Sequence, residues 1–393
     1  MNNKRILSID MFRGLVMFLM VAVNDFWKIP DVPHWLEHFA TFEDGMGLSD
    51  LVYPMFLFAM GMSVPLAIDK RYEKGCSAES TLGHILSRTL ALLLMGVFFV
   101  NSEGEIAPLL GYGRGVYWLL MLAGFFLIWN AYPEGFKARR WLQGLGACIL
   151  LFLAITFRTP DGGLFQAHWW GILGQIGWMY LFTAVAYMLL RNKPGWMGVL
   201  WLAAGLLNVL TARLRGGGTV LGGPNIIADF GDALNVGQGH ALWMALGGAC
   251  LTLTDRHYHD KTPAFRLCLA LGAAVVLALL GLLAHRFFII SKNLGTAPWC
   301  LYVSAISVAL YALLRILERH GLTRWFAAIR PAGTATLTVY MIPYIFLALW
   351  VFIEPVYPGW LSGWIGVVKS FLLSFVCIGL TALLGRLGLK LKI

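Results

Sequence analysis

A histidine at position 38 lies between two charged segments, Asp10-Met11-Phe12-Arg13-Gly14 and Ser49-Asp50-Leu51-Val52-Tyr53-Pro54. A neutral imidazole can take a proton from an attacking amine or hydroxyl, or can itself accept an acyl group. Asn24 precedes it, and an amide there can orient the ring or donate to an oxygen that gains negative charge. Asp10 and Arg13 are three apart, so on a helix they share a face and can pair. That pair either locks helix packing or supports a site. Asp50 stands where a second apolar run begins, and a carboxylate there complements a helix N-terminus. Ser49 or Asp50 reads first as an N-cap and only second as a reacting group. His34 and His38 could share a helical face as a metal pair, but no third ligand stands near, so no metal is assigned.

Weaker candidates follow along the chain. Arg88 sits inside an apolar run with His84 a turn away, and Lys292-Asn293 marks a helix junction. Gln175 falls within Gly171-Ile172-Leu173-Gly174-Gln175-Ile176-Gly177, a small-residue stretch suited to close helix contact; its amide needs a polar partner. An ionisable group within a bilayer costs several kcal/mol, on the order of 3, unless it is paired or faces a polar cavity. Asp10, Arg13 and Arg88 therefore call for partners or a polar cavity, and most of the other groups cluster at the outer ends of spans, which suggests a polar cavity opening outward.

The elements that must position these groups follow from composition. Of 393 residues, 59% are hydrophobic and 13% charged, far from the balance of a soluble domain. The apolar residues fall in blocks of about 17–25, the length that crosses a bilayer as a helix. The expected fold is all-α: a polytopic transmembrane bundle of about 11–12 spans, at 8–27, 49–68, 82–101, 114–132, 141–158, 169–190, 195–212, 237–254, 265–287, 297–315, 333–353 and 361–386. The first span is expected to remain as a helix, since Asp10 and Arg13 interrupt it and no small-residue cleavage site follows. The six cysteines lack paired spacing and read as buried thiols.

Counted by side of the membrane, twenty of the 30 Lys and Arg fall in segments on the side of the N-terminus and seven on the other, with Arg13, Arg88 and Lys369 inside spans. Positive residues accumulate on the cytoplasmic side, so both termini are expected there. The net charge of +10 is thus a topology signal and gives no reason to expect a nucleic-acid partner. The whole chain, 1–393, reads as a single transmembrane domain with two long outer loops, 28–48 and 213–236. The second, with Gly216-Gly217-Gly218, Gly222-Gly223-Pro224, Asn225, Asp229 and Asp232, lacks the Lys-Ser/Thr of a phosphate-binding loop and reads as a flap.

The order Ser-Ile-Asp-Met-Phe-Arg-Gly, Val-Asn, a loop His, then Ser-Asp-Leu-Val-Tyr-Pro-Met-Phe-Leu-Phe-Ala-Met-Gly resembles the heparan-α-glucosaminide N-acetyltransferase family, in particular its bacterial DUF5009-type members. The matching positions are Asp10, Phe12, Arg13, Gly14, Asn24, His38, Asp50, Leu51, Val52, Tyr53, Pro54 and Gly61, with weaker likeness around Arg88, Asn101, Gly171–Gly177 and Ser291–Leu294. The resemblance implies transfer of an acetyl group from cytosolic acetyl-CoA to an extracytoplasmic saccharide acceptor, across a bacterial inner membrane. It makes His38 the catalytic histidine and Asn24 its partner. Asp10, Arg13, Asp50, Arg88, Gln175, Lys292 and Asn293 remain scaffold or substrate-binding candidates, and the reach of the acetyl-CoA arm to His38 implies a narrow passage between helices with Asp10, Arg13 and Arg88 as its wall or scaffold residues. Membrane lipids are expected partners, and a homodimer is allowed. The alternative is a secondary transporter or permease for a sugar or lipid-linked substrate, with Arg88 and Lys369 on its path. A structural envelope protein ranks last, because it leaves His38, Asp10 and Arg13 without a shared purpose.

Overall fold

A computed structural model describes residues 6–220, 239–353 and 358–393. The chain forms α1 (Leu7–Asp25), α2 (Leu48–Glu73), α3 (Ala78–Asn101), α4 (Arg114–Trp129), α5 (Arg139–Thr156), α6 (Ile172–Leu190) and α7 (Gly195–Thr211). After the undescribed stretch come α8 (His240–His257), α9 (Pro263–Ala284), α10 (Ala297–Arg319), α11 (Phe326–Thr334), α12 (Thr336–Ile353) and α13 (Gly363–Arg386). Among the described residues there is no strand, only two isolated β-bridges. Nine of these helices are long and apolar enough to cross a bilayer, and α4 and α7 are apolar but shorter. The protein is a multipass helical membrane protein.

Each predicted span corresponds to one helix, α1 to α10, α12 and α13. One boundary is corrected: the span expected from 333 begins only at Thr336. Ala335 leaves helical geometry at φ −135° and ψ 43°, so the short α11 stands before it as a separate element. Pro331 lies inside α11 and brings no N–H to the helical ladder there. The predicted flap residues Gly222, Gly223, Pro224, Asn225, Asp229 and Asp232 lie outside the described residues.

α1 is the hub. It packs against α2, α10, α11, α12 and α13, with Met11, Phe12, Val16, Met17 and Met20 fully buried among them. α2 lies along α8, and the two backbones touch: a Cβ on Gly61 would sit 1.8 Å from the Ala245 carbonyl oxygen. Small residues allow this approach, which supplies dispersion contacts that lipid cannot replace. α9 packs on α10 and exposes Val275, Val276, Leu279, Leu280, Leu282 and Leu283, as a lipid-facing helix must.

Two ends of the bundle matter. Asp10 and Arg13 lie near one end of α1, and Asn24 and Asp25 close the other, about 21 Å away at 1.5 Å per residue. The second end carries the loop 26–47 and the turn 285–296.

Candidate active site

The loop after α1 is short of regular structure yet firmly held. Phe26–Lys28 and His34–Leu36 form single 3₁₀ turns, and the chain then runs extended through Glu37, at φ −81° and ψ −178°. His38 is therefore not on a helical face shared with His34, as a metal pair would need. Instead His34 Nε2 meets Glu43 Oε1 at 2.6 Å and stacks on Phe39 at 4.2 Å between ring centroids. Glu43 Oε2 also accepts the Ala40 N–H at 3.0 Å. That backbone bond, followed by the one to His34, holds the Glu43 carboxyl below the usual carboxylate range.

His38 turns to the start of α2. Its Nδ1 lies 2.7 Å from Asp50 Oδ1, while Asp50 Oδ2 accepts the N–H of Phe39 at 3.1 Å and of Gly47 at 3.1 Å. Asp50 is nearly inaccessible, with 3% of its side chain exposed against 20% for His38. The expected N-cap role is corrected: Gly47 is the cap residue and Asp50 stands at the third helical position. From there its carboxylate satisfies the free N–H of Gly47, as the acidic member of a capping box does. Ser49 points elsewhere, donating to the Leu36 carbonyl at 2.6 Å. Gly47 is required for a second reason: a Cβ there would fall 2.0 Å from the carbonyl oxygen of Glu37, the residue before His38.

Three hydrogen-bond donors converge on one carboxylate, which favours its charged form. A carboxylate 2.7 Å from Nδ1 in turn favours the tautomer with the proton on that nitrogen, and leaves the Nε2 lone pair free as base or nucleophile. Lys292 completes the cluster across 254 residues, with Nζ 3.1 Å from His38 Nδ1 and 3.8 Å from Asp50 Oδ1. Burial pulls the Lys292 ammonium below the usual lysine range, and the attraction of Asp50 opposes that pull. Trp27 covers the imidazole at 5.6 Å between ring centroids. One turn before Trp27, at the end of α1, is Asn24, whose side chain is exposed.

The turn carrying Lys292 is locked to the His38 loop. Ser291 Oγ donates to the Thr41 carbonyl at 2.8 Å, Asn293 Nδ2 to Thr41 Oγ1 at 3.3 Å, and the Gly45 N–H to the Ile290 carbonyl at 3.0 Å. Asp44 accepts the Ile290 N–H at 2.8 Å and pairs with His285 at 2.8 Å and Arg215 at 2.7 Å. Burial alone would raise the Asp44 pKa, but these three partners outweigh it and hold the carboxyl below its usual range. Arg213 lies over the Phe42 ring at 5.2 Å, so the chain just after α7 also docks on the loop after α1.

The other sequence candidates separate by place. Gln175 finds its partners in Tyr53, whose hydroxyl donates at 2.5 Å, and in the Trp170 carbonyl at 2.9 Å; Tyr53 is one turn beyond Asp50 on α2. Asp10 and Arg13 pair at 3.6 Å, at the far end of α1 from Asn24. Arg88 lies over the Tyr180 ring at 4.8 Å, between α3 and α6. Sequence reasoning missed Asp25, which binds Lys369 and, at 2.6 Å, Ser370 Oγ. Its neighbour Asn24 and the lone intramembrane Lys369 were the available signals. It also missed Gly47, Asp44 and Trp299, whose indole donates to the Asp50 carbonyl at 3.2 Å.

A cavity of about 580 Å³ runs beside α10 from Arg319 to Ser304, with Phe58, Trp201 and Leu277 among its walls. Its inner end lies about 7 Å along α10 from Trp299. Asp10, Arg13 and Arg88, expected as passage walls, do not line it. Its charged mouth is internally compensated, since Asp255 holds Arg266 at 2.5 Å and Arg315 at 3.8 Å.

Known proteins resemble part of this chain. A mouse (Mus musculus) heparan-alpha-glucosaminide N-acetyltransferase is 30% identical over 181 residues, which is 40% of this chain and 27% of that protein. The human (Homo sapiens) protein of the same name is 35% identical over 105 residues, 27% of this chain and 15% of its own length. The chain thus spans well under half the length of these curated relatives. A family profile described as a domain of unknown function, DUF5009, matches residues 5–221. That stretch is more than half of the 393 residues and holds Asn24, His38 and Asp50, and on it the chain belongs to the DUF5009 family.

Proposed function

We propose that this protein is a membrane-embedded acetyltransferase that moves an acetyl group from acetyl-CoA to an amine or hydroxyl of a saccharide on the opposite side of the bilayer. The observation that carries the reading is the hydrogen bond of 2.7 Å between His38 Nδ1 and a buried, multiply bonded Asp50. This arrangement favours the tautomer that leaves the Nε2 lone pair free, as the histidine–carboxylate pair of acyl-transfer enzymes does. The N-acetyltransferase relatives, similar over part of this chain, support the same chemistry.

In the direct route, the acceptor nitrogen or oxygen attacks the thioester carbonyl while its proton passes to His38 Nε2. The carbonyl electron pair moves onto oxygen, and the exposed Asn24 amide, one turn from Trp27, is suited to donate to that oxyanion. Collapse expels the CoA thiolate, which takes the proton back from the imidazolium. In the two-step route, Nε2 attacks the thioester first and expels CoA as its thiolate; the acceptor then attacks the acetyl-imidazolium, the C–Nε2 bond breaks to return the neutral imidazole, and the acceptor's proton passes to the departed thiolate or to water. Asp50 keeps the imidazole in the working tautomer in both routes. Lys292 balances the Asp50 charge and so positions the ring without touching the reacting atoms. With the Lys/Arg asymmetry placing the termini in the cytoplasm, His38 faces the acceptor side.

The transporter reading loses its best residue, since Lys369 is engaged by Asp25. The test is acetyl transfer by purified protein from radiolabelled acetyl-CoA to a panel of amino sugars and glycan fragments. Wild type transfers label, and His38→Ala reduces kcat by at least about 10²-fold, the scale of a lost general base. Undiminished transfer by His38→Ala would sink the assignment. Label retained on wild-type protein without acceptor selects the two-step route.

A further inference from the structure

A second cavity, of about 420 Å³, lies between α11, the start of α12, the end of α13 and the C-terminal tail. Its polar lining is one-sided in charge: Arg330 and Lys390, with the hydroxyls of Thr334, Thr338 and Thr381, and no carboxylate. No ion pair is formed by Arg330 or Lys390 among the described residues. The contrast with the larger cavity is direct, because there Asp255 neutralises the arginines Arg266 and Arg315. An exposed arginine and a half-buried lysine lining one cavity without a counter-charge repel each other, so an anion between them gains free energy from both.

The lysine is also held in place. Chain ends are ordinarily poorly ordered unless something ties them down. Here the Lys390 N–H donates to Asn130 Oδ1 at 2.8 Å, the Lys390 carbonyl accepts the Ala131 N–H at 2.9 Å, and Leu391 N–H donates to Thr338 Oγ1 at 3.1 Å. Lys392 N–H adds a bond to the Trp129 carbonyl at 2.9 Å. Because Thr338 Oγ1 accepts from the tail, its own hydroxyl hydrogen is free to donate into the cavity. The break between α11 and α12 at Ala335 opens the space, and Arg330 guards its rim.

We infer that this cavity binds a phosphate-bearing ligand, with Arg330 and Lys390 neutralising the phosphate and the Thr338 hydroxyl donating to its oxygens, while the Thr334 and Thr381 hydroxyls donate to the Arg330 and Cys377 carbonyls. The site is separate from His38: Thr381 lies about 18 Å along α13 from Lys369, the partner of Asp25 at the other end. Two sources carry this chemistry, the nucleotide end of a soluble donor such as coenzyme A and the headgroup of an anionic phospholipid.

Full-length protein in phosphatidylcholine nanodiscs distinguishes them without any turnover, so the outcome stands apart from the transfer reaction. Saturable binding is measured for coenzyme A, for inorganic pyrophosphate, and for phosphatidylglycerol introduced into the discs. Wild type binds at least one probe, and Arg330→Gln and Lys390→Gln each weaken that probe about tenfold, the effect of one lost charged hydrogen bond. Arg330→Lys and Lys390→Arg keep the charge and retain most of the binding, and ligand-free melting midpoints verify that every variant is folded. Loss confined to coenzyme A and pyrophosphate identifies the nucleotide source; loss confined to phosphatidylglycerol identifies the lipid. No saturable binding of any probe by wild type, or glutamine variants that bind like wild type, overturns the inference.

Discussion

Asp50 is the residue on which most of the site depends, because it does three jobs with two oxygens: it caps α2, fixes the His38 loop and sets the imidazole tautomer. Asp50→Asn keeps the shape but can present an N–H to Nδ1, which favours the wrong tautomer. Transfer should fall by about 10²–10⁴-fold in kcat with a smaller change in KM. Lys292→Met is expected to be milder and to shift the pH profile of kcat/KM, because the removed ammonium lies 3.1 Å from the ring. Steady-state kinetics across pH check both.

Asp44 gives the loop its own pH dependence. Its pKa is lowered on folding, so the unfolded chain binds the proton more readily. The stability it contributes is therefore present above the ordinary carboxylate value of 3.8 and is lost as pH falls through the lower folded value. The difference in melting midpoint between wild type and Asp44→Asn should be fully present at about pH 5 and shrink below about pH 4. A difference that persisted unchanged into acid would show that another contact holds the loop.

Among the elements, the helices were the legible part and their meetings were not. Apolar runs of membrane length marked twelve helices, because burial against lipid is encoded locally in each run. The pairing of Asp10 with Arg13 was legible for the same reason, being a matter of three residues on one helix. The contact of Lys292 with His38 joins residues 254 apart, and no local pattern carries that. His38 and Asp50 were found, yet the capping role was misassigned by two or three positions, to Ser49 or Asp50 in place of Gly47, since a glycine cap leaves no side-chain signature.

The Asp25–Lys369 pair is likewise invisible in sequence and ties α1 to α13. Lys369→Met should destabilise the protein by about 3 kcal/mol, because it leaves a half-buried carboxylate without its cation. Adding Asp25→Asn should restore part of that loss. Thermal unfolding of the two single variants and the double decides it; strictly additive losses would mean that the pair is not coupled.

At the scale of the whole molecule, the charge distribution predicts sidedness. Cysteines introduced at Phe42 and Lys392 should react with membrane-impermeant maleimide from opposite sides of intact cells and inverted vesicles. Phe42 is 68% exposed on the His38 loop, and Lys392 belongs to the tail at the other end. Labelling of both from one side would invalidate the twelve-span topology.

The position of α1 at the hub has a consequence for biogenesis. It is the first of these helices to leave the ribosome, yet apart from α2 its neighbours are α10, α11, α12 and α13. Until those are made, it must wait in the bilayer with its polar groups unsheltered. Asp10 and Arg13 meet that problem within a single turn, since each is the other's counter-ion before any partner helix arrives. Asp25 feels the charge of nearby Lys28 but gains its ion-pair partner only with Lys369 on α13. A nascent chain stalled before α13 therefore leaves Asp25 without its ion-pair partner and presents that carboxylate to membrane quality control.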